Sequence, residues 1–98
     1  MESPKPDYEF SADKNQLLIK GRHISFEDVV VALNNGNLLD VIDHPNRVKY
    51  PNQKIYVVDI DGYVYLVPYV TKNEQTVFLK TIFPSRKLTK KYLVKVGV

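Results

Sequence analysis

The closing segment of the chain concentrates positive charge at helical spacing. Arg86, Lys87, Lys90 and Lys91 stand at positions i, i+1, i+4 and i+5, and no acidic residue follows Glu74. If this segment is a helix, the four cations share one face, because residues four apart are neighbours on a helix surface. Such a face indicates binding of a polyanion. The alternative is a solvated surface that only keeps the protein dissolved.

Arg86 is the strongest candidate for a functional side chain. It falls in the first turn of the predicted helix, where the helix dipole disfavours a cation by about 0.3–1 kcal/mol. A residue that breaks a local rule without local gain often serves function. Because Arg86 directly follows a predicted strand, the sheet would hold it in place, and a guanidinium held in this way suits a bidentate grip on phosphate.

Two further features could carry chemistry. His23 lies at the junction of two predicted helices, and its imidazole could serve in acid–base catalysis, although a lone histidine there is more often plain surface. Tyr56, Tyr63 and Tyr65 lie on adjacent predicted strands. They form either an aromatic platform on which single-stranded bases stack, or ordinary cross-strand packing.

Length and composition favour one small domain. The chain has 98 residues, 44% of them hydrophobic and 26% charged, as in folded proteins. It has no cysteine and two histidines, so we expect no disulfide, no metal site and no cofactor. Residues 1–7 hold two prolines and are predicted to be a loose lead-in, with the domain over 8–98. No signal-peptide core or membrane-spanning apolar run is present, which favours the cytoplasm.

The elements that must position these residues follow from periodicity and turn chemistry. A short strand at 8–10 precedes a helix capped by Ser11 or Asp13, which Gly21 is placed to end. A second helix begins at a capping box, Ser25 to Asp28, and stops before Gly36.

The second half reads as strands joined by turns. Strands are predicted at 38–42, 55–60, 63–70 and 76–83, with a tight hairpin at Asp61-Gly62. Pro68 lacks the N–H that a ladder needs and predicts a bulge or an unpaired edge. Ser85 caps the last helix. The order predicts an α+β fold, in which two N-terminal helices pack on an antiparallel meander sheet and a short basic helix closes the chain.

Several motifs resemble those of BrnT-type toxins. Residues 8–15 (YEFSADKN) and 24–29 (ISFEDV) are similar to the opening of that family, which has a short aromatic strand, a helix and a Lys-His-Gly-Ile-Ser-Phe-Glu junction. Residues 53–58 (QKIYVV) and 64–69 (VYLVPY) resemble its strand pair. Residues 80–91 (KTIFPSRKLTKK) resemble its closing strand and helix start. The resemblance covers most of residues 8–92.

The resemblance implies a RelE-like fold and a ribonuclease toxin of a bacterial type II toxin–antitoxin pair. The implied partners are an RNA substrate and a cognate antitoxin, usually with a ribbon-helix-helix domain, so that DNA is reached only through the antitoxin. The family's closing arginine corresponds to Arg86 and its next cation to Lys87. When the two junctions are aligned at Ile24, Arg22 stands at the position of the family's histidine and His23 at the position of its glycine. Either the junction is shifted by one residue, or Arg22 replaces the histidine.

These considerations predict metal-independent RNA cleavage by attack of a ribose 2′-hydroxyl on its own phosphate. Arg86 would stabilise charge, with His23 or Arg22 as acid–base group or second cation. The expected RNA-binding residues are Lys80, Lys87, Lys90, Lys91 and Tyr63. Two alternatives stay open. The chain could be a non-catalytic RNA- or protein-binding module on the same fold, or the basic stripe could serve only to dock an acidic antitoxin.

Overall fold

A computed structural model of the chain describes residues 6–93, in which three helices pack on a six-stranded sheet. The predicted lead-in up to residue 5 and the last five residues lie outside the described part. In chain order, the elements are β1 (Asp7–Glu9), α1 (Ala12–Arg22), α2 (Phe26–Asn34), β2 (Leu38–Asp43), β3 (Gln53–Ile60), β4 (Tyr63–Thr71), β5 (Thr76–Leu79), β6 (Phe83–Pro84) and α3 (Arg86–Tyr92).

The sheet confirms the predicted meander and adds a parallel edge. Its order is β1-β5-β4-β3-β2, with β6 pairing with β4. Strands β2 to β5 are antiparallel neighbours in sequence order. β1 instead runs parallel to β5, with Asp7 opposite Thr76, so the sheet is mixed. This strand begins one residue inside the predicted lead-in.

The turns between these elements follow the predicted chemistry in two places. Asp61 and Gly62 both have positive φ, +54° and +82°, as a tight two-residue hairpin requires. α2 begins with the capping box between Ser25 and Asp28. It ends at Asn34, and Gly36 follows the capping residue with φ of +80°, while the N–H of Asn37 donates to the carbonyl of Ala32 at 2.9 Å. This is the glycine-terminated helix end that the sequence predicts.

Two predicted boundaries are wrong. Gly21 does not end α1, which continues to Arg22 and is capped by His23 with φ of +56°. The predicted strand over 76–83 is split into β5 and β6. Lys80 donates its N–H to the carbonyl of Pro68 at 2.8 Å, and the ladder resumes with Leu66 opposite Phe83. The N–H that Pro68 lacks faces this gap, since both backbone groups of a strand residue point to one side.

The core lies between the sheet and the first two helices. The side chains of α1 and α2 that face the sheet pack on alternate residues of β3, β4 and β5. The buried members of this cluster are Leu18, Ile24, Phe26, Val29, Ala32, Tyr56, Val58, Ile60, Val67, Tyr69, Val77, Leu79 and Ile82. Asn15 is buried with them and joins the helices, since its side chain bonds the N–H of Phe26 and the carboxylate of Glu27, both at 2.8 Å.

α3 lies on the other face of the sheet. Val57 and Val64 point to that face and are buried there, outside the core cluster formed with α1 and α2. Asp40 is opposite Val57 in the ladder, and the Tyr92 hydroxyl at the end of α3 reaches its carboxylate at 3.1 Å. The predicted α+β architecture with a short basic closing helix is therefore confirmed.

Candidate nucleic-acid interface

The start of α3 is held on the sheet by backbone and side-chain hydrogen bonds. Ser85 donates its N–H to the carbonyl of Val64 at 2.9 Å, and its hydroxyl caps the helix by accepting the N–H of Leu88 at 3.2 Å. One turn later, the hydroxyl of Thr89 accepts the N–H of Val64 at 2.8 Å. Arg86, the first helical residue, is thus placed by contacts on both sides of it along the chain.

The four cations of α3 form the predicted stripe. With a turn of about 100° per residue, Arg86, Lys87, Lys90 and Lys91 fall within an arc of about 140°. All four are exposed, whereas Thr89 lies on the opposite side of the helix and is buried. The basic stripe, as we call these four cations, therefore faces away from the sheet.

Acidic side chains do not neutralise the basic stripe. Over residues 6–93, the one ion pair joins Lys72, which follows β4, to Glu9 of β1 at 2.7 Å. It therefore involves no residue of α3. The first turn of α3 contains no acid. Lys91 places its ammonium 5.5 Å from the ring centre of Tyr92, a cation–π contact that leaves the charge in place. The stripe therefore remains free to attract an anion.

Arg22 is brought to the closing segment by a direct contact. Its guanidinium donates to the carbonyl of Ile82, in the gap between β5 and β6. The end of α1 is thereby joined to the chain four residues before Arg86. His23 follows with an exposed side chain and a left-handed backbone. Among the contacts of residues 6–93, none links His23 or Arg22 directly to Arg86. The structure therefore joins the end of α1 to the segment before α3, but it does not place these side chains in contact with Arg86.

Lys80 and Tyr63, two other predicted contacts, lie outside α3. Lys80 is exposed and places its ammonium 5.5 Å from the ring centre of Phe78. Tyr63 is partly exposed and packs against Tyr65, with ring centres 5.7 Å apart. Both tyrosines point to the face that carries α1 and α2, opposite α3, because they alternate with the buried Val64.

Tyr56 cannot belong to an exposed aromatic platform. It is 9% exposed and stacks on Tyr69, with ring centres 3.9 Å apart. Burial, followed by the nearby phenols of Tyr69 and Tyr8, raises the pKa of Tyr56 strongly. Of the three tyrosines in the predicted platform, this one serves the core, as the packing alternative expects.

Thr89 is a part of the site that the sequence analysis missed. It is the one polar side chain of α3 that is buried, and it satisfies a backbone donor of β4. The sequence did contain a signal. Thr89 lies four residues after the capping Ser85 and, at helical spacing, on the side of the helix away from the cations. Its partner in β4 could not be foreseen without the tertiary structure.

Two features of the described residues bear on other kinds of site. Histidine and acidic side chains within residues 6–93 do not gather in groups of three or more that could hold a metal ion. The helices of the same region are all too short or too polar to cross a membrane.

Comparison with known proteins identifies the fold through structure and not through sequence. No family model matches the chain, and no curated protein matches it. Among solved structures, it is similar to the crystal structure of the Brucella abortus ribonuclease toxin BrnT, with a TM-score of 0.62 and 10% sequence identity. The superposition covers 85% of this chain and 100% of that one. The chain therefore has a BrnT-like fold, as its sequence motifs led us to expect.

Proposed function

We propose that the chain is the ribonuclease toxin of a bacterial type II toxin–antitoxin pair. The observation that carries the proposal is the unneutralised basic stripe, whose first member, Arg86, is anchored on the sheet by Ser85 and Thr89. A stripe of this kind matches the spaced phosphates of RNA, which supply most of the affinity in such complexes. The similarity to a solved ribonuclease toxin supports the same conclusion.

The proposed reaction is metal-independent cleavage of the RNA backbone. The 2′-oxygen of one nucleotide attacks the adjacent phosphorus, the bond from phosphorus to the 5′-oxygen breaks, and a cyclic phosphate remains. A base takes the proton of the 2′-hydroxyl and an acid gives one to the departing 5′-oxygen. Arg86 stabilises the charge that builds on the phosphate oxygens. Lys87, Lys90, Lys91 and Lys80 hold the neighbouring backbone.

The backbone of His23 bears on which residue moves protons. Its left-handed conformation, φ of +56°, is one that glycine adopts most readily. This supports the alignment in which His23 occupies the glycine column of BrnT-type toxins and Arg22 the histidine column. A guanidinium stays protonated and cannot act as a base. In this proposal Arg22 is therefore a second cation and a link to Ile82, and His23 is the acid–base candidate.

The left-handed backbone of His23 also favours a second candidate function. If Arg22 replaces the histidine of the family and His23 serves only the turn, the fold keeps its cations without a base. It would then be a non-catalytic module that binds RNA or protein. The cognate antitoxin is a proposed partner in either case, and its docking on the basic stripe is the third possibility raised by the sequence.

Expression in a bacterium tests the proposal. Wild type, Arg86→Ala and a control, Lys14→Ala on α1, are induced while growth and RNA integrity are followed. We expect arrest and RNA breakdown with wild type and control, and neither with soluble Arg86→Ala. Purified wild type should cleave RNA in the presence of EDTA. Intact RNA and normal growth with soluble wild type would favour the non-catalytic module, and equal toxicity of Arg86→Ala would remove Arg86 from the mechanism.

A further inference from the structure

The connection between β2 and β3 is much longer than the hairpin needs. Residues 44–52 join two antiparallel neighbours, for which two to five residues are usual. We propose that this loop, the 44–52 loop, is a second binding site for single-stranded RNA, at the opposite end of the sheet from Arg86. The inference rests on the proposed function, since it extends the contact with the same substrate.

The 44–52 loop is organised by its own hydrogen bonds. Asn46 donates its N–H to Nδ1 of His44 at 3.0 Å, and its side-chain oxygen accepts the N–H of Lys49 at 3.0 Å. The carbonyl of Asn46 also accepts the N–H of Tyr50 at 2.9 Å. The rings of His44 and Tyr50 pack with centres 4.5 Å apart. The tip of the loop is therefore held in one shape before any ligand arrives.

The tip of the loop presents two exposed cations, an apolar side chain and an aromatic ring. Val48 is 96% exposed, and the flanking cations Arg47 and Lys49 are exposed as well. The loop contains no acid, and within the described part of the chain neither cation forms an ion pair. Lys49 instead lies 5.3 Å from the ring centre of Tyr50. Two exposed cations beside an aromatic ring, with no acid in the loop to neutralise them, offer a surface to an anionic ligand that also carries flat rings.

Single-stranded RNA fits this combination better than an acidic protein segment. Cations spaced two residues apart attract successive phosphates, while the partly exposed ring of Tyr50 and the apolar Val48 offer surfaces to a base. An acidic peptide would use the cations, but only some of its side chains could stack on the ring, whereas every base has a face that can do so. The ligand class is therefore a nucleic-acid strand with unpaired bases.

The loop lies at the opposite end of the sheet from Arg86. Pro84, two residues before Arg86, is opposite Tyr65, which is opposite Val58 in β3. From Val58 to Gln53, where the loop ends, β3 extends about 17 Å at roughly 3.3 Å per residue. A strand bound at both sites must therefore span several nucleotides, so the loop contributes only to longer RNA.

Binding of non-cleavable RNA tests the loop independently of catalysis. Fluorescence anisotropy would be measured with 2′-O-methyl RNA of 4 and of 16 nucleotides over a series of salt concentrations. The variant is Arg47→Gln/Lys49→Gln, and the matched control is Lys14→Gln/Lys20→Gln, which removes two cations of α1. An acidic peptide, polyglutamate, serves as the second probe. Circular dichroism confirms that each variant is folded.

We expect the loop variant to bind the 16-mer roughly tenfold more weakly than wild type, with a salt slope smaller by about 1.4. The 4-mer and the control should show no such change. An equal loss in the control, or an unchanged affinity for the 16-mer, overturns the proposal. So does a loss confined to polyglutamate, which would assign the loop to an acidic protein. Absence of RNA cleavage by wild type would refute the proposed function while leaving this measurement interpretable.

Discussion

The hydroxyl of Thr89 accepts a hydrogen bond from the backbone N–H of Val64 at 2.8 Å and donates one to the carbonyl of Ser85 at 2.7 Å. One side chain thus ties the first turn of α3 to the first strand residues of β4. Arg86 lies between the two attachment points, Ser85 and Thr89. On the proposed function, the placement of the Arg86 guanidinium against a phosphate therefore depends on the buried Thr89.

Replacing Thr89 by the isosteric valine should destabilise the chain. The N–H of Val64 would be buried without an acceptor, which costs about 1–3 kcal/mol in the free energy of unfolding. The carbonyl of Ser85 would keep its bond from the backbone N–H of Thr89. Urea denaturation measures the loss. Thr89→Ser retains the hydroxyl and serves as control for the hydrogen bond. An unchanged free energy of unfolding in Thr89→Val would contradict this prediction.

His23→Gly separates a conformational role from a chemical one. Glycine adopts the left-handed conformation without strain, so we expect the free energy of unfolding to stay level or rise by about 0.5–1 kcal/mol. If His23 carries protons, cleavage by this stable variant should fall by about 10²-fold or more. Thermal unfolding and RNA cleavage are measured side by side. Full activity in a stabilised variant would assign His23 to the turn alone.

Reversing charge at the end of the basic stripe distinguishes RNA contact from antitoxin docking. Lys90→Glu/Lys91→Glu reverses two exposed cations in the last turn of α3, where the helix dipole favours positive charge, so stability should fall by about 1–2 kcal/mol. Circular dichroism checks that the variant is folded. On the proposed function, RNA binding weakens and its salt dependence falls, since fewer counterions are released. RNA cleavage at the wild-type rate, together with lost antitoxin binding, would instead identify the stripe as the docking surface.

The buried tyrosines predict a loss of stability at alkaline pH. Burial first, and neighbouring phenols second, raise the pKa of Tyr56, and burial raises those of Tyr8 and Tyr69. A phenol whose pKa is higher in the folded than in the unfolded chain favours folding fully below the ordinary value of about 10. That stabilisation is lost as the pH rises above it. Denaturation midpoints from pH 8 to 11 should fall less in Tyr56→Phe than in wild type; parallel curves would contradict this prediction.

The sequence was most informative where local chemistry decides the structure. The capping box at Ser25, the hairpin at Asp61-Gly62 and the cap at Ser85 all depend on side chains near in sequence, and all three were predicted. The basic stripe followed from the same periodicity. Its placement opposite α1 and α2 could not be predicted, because both faces of the central strands are apolar and offer no pattern that assigns a helix to either.

The errors arose where distant contacts override local preference. Gly21 is a suitable helix end by itself, but α1 continues past it and Arg22 bonds to Ile82, sixty residues later. Thr89 likewise gains its role from Val64. The three-residue β1 was expected as a strand, but its parallel pairing with β5 was not predicted. Nothing in the sequence near residues 7–9 specifies a partner strand so far along the chain.

The parallel pairing of β1 with β5 has a consequence for the order of folding. Residues 7–9 can pair only after residues 76–78 have been made. Because this pairing closes a long loop, it costs much chain entropy and belongs to the late steps of folding. The bond from Arg22 to Ile82 spans a similar interval and forms no earlier. A chain whose translation stops before Ile82 therefore lacks the anchoring contact and Arg86 together. Synthesis itself therefore delays assembly of the proposed site until the closing segment has been made.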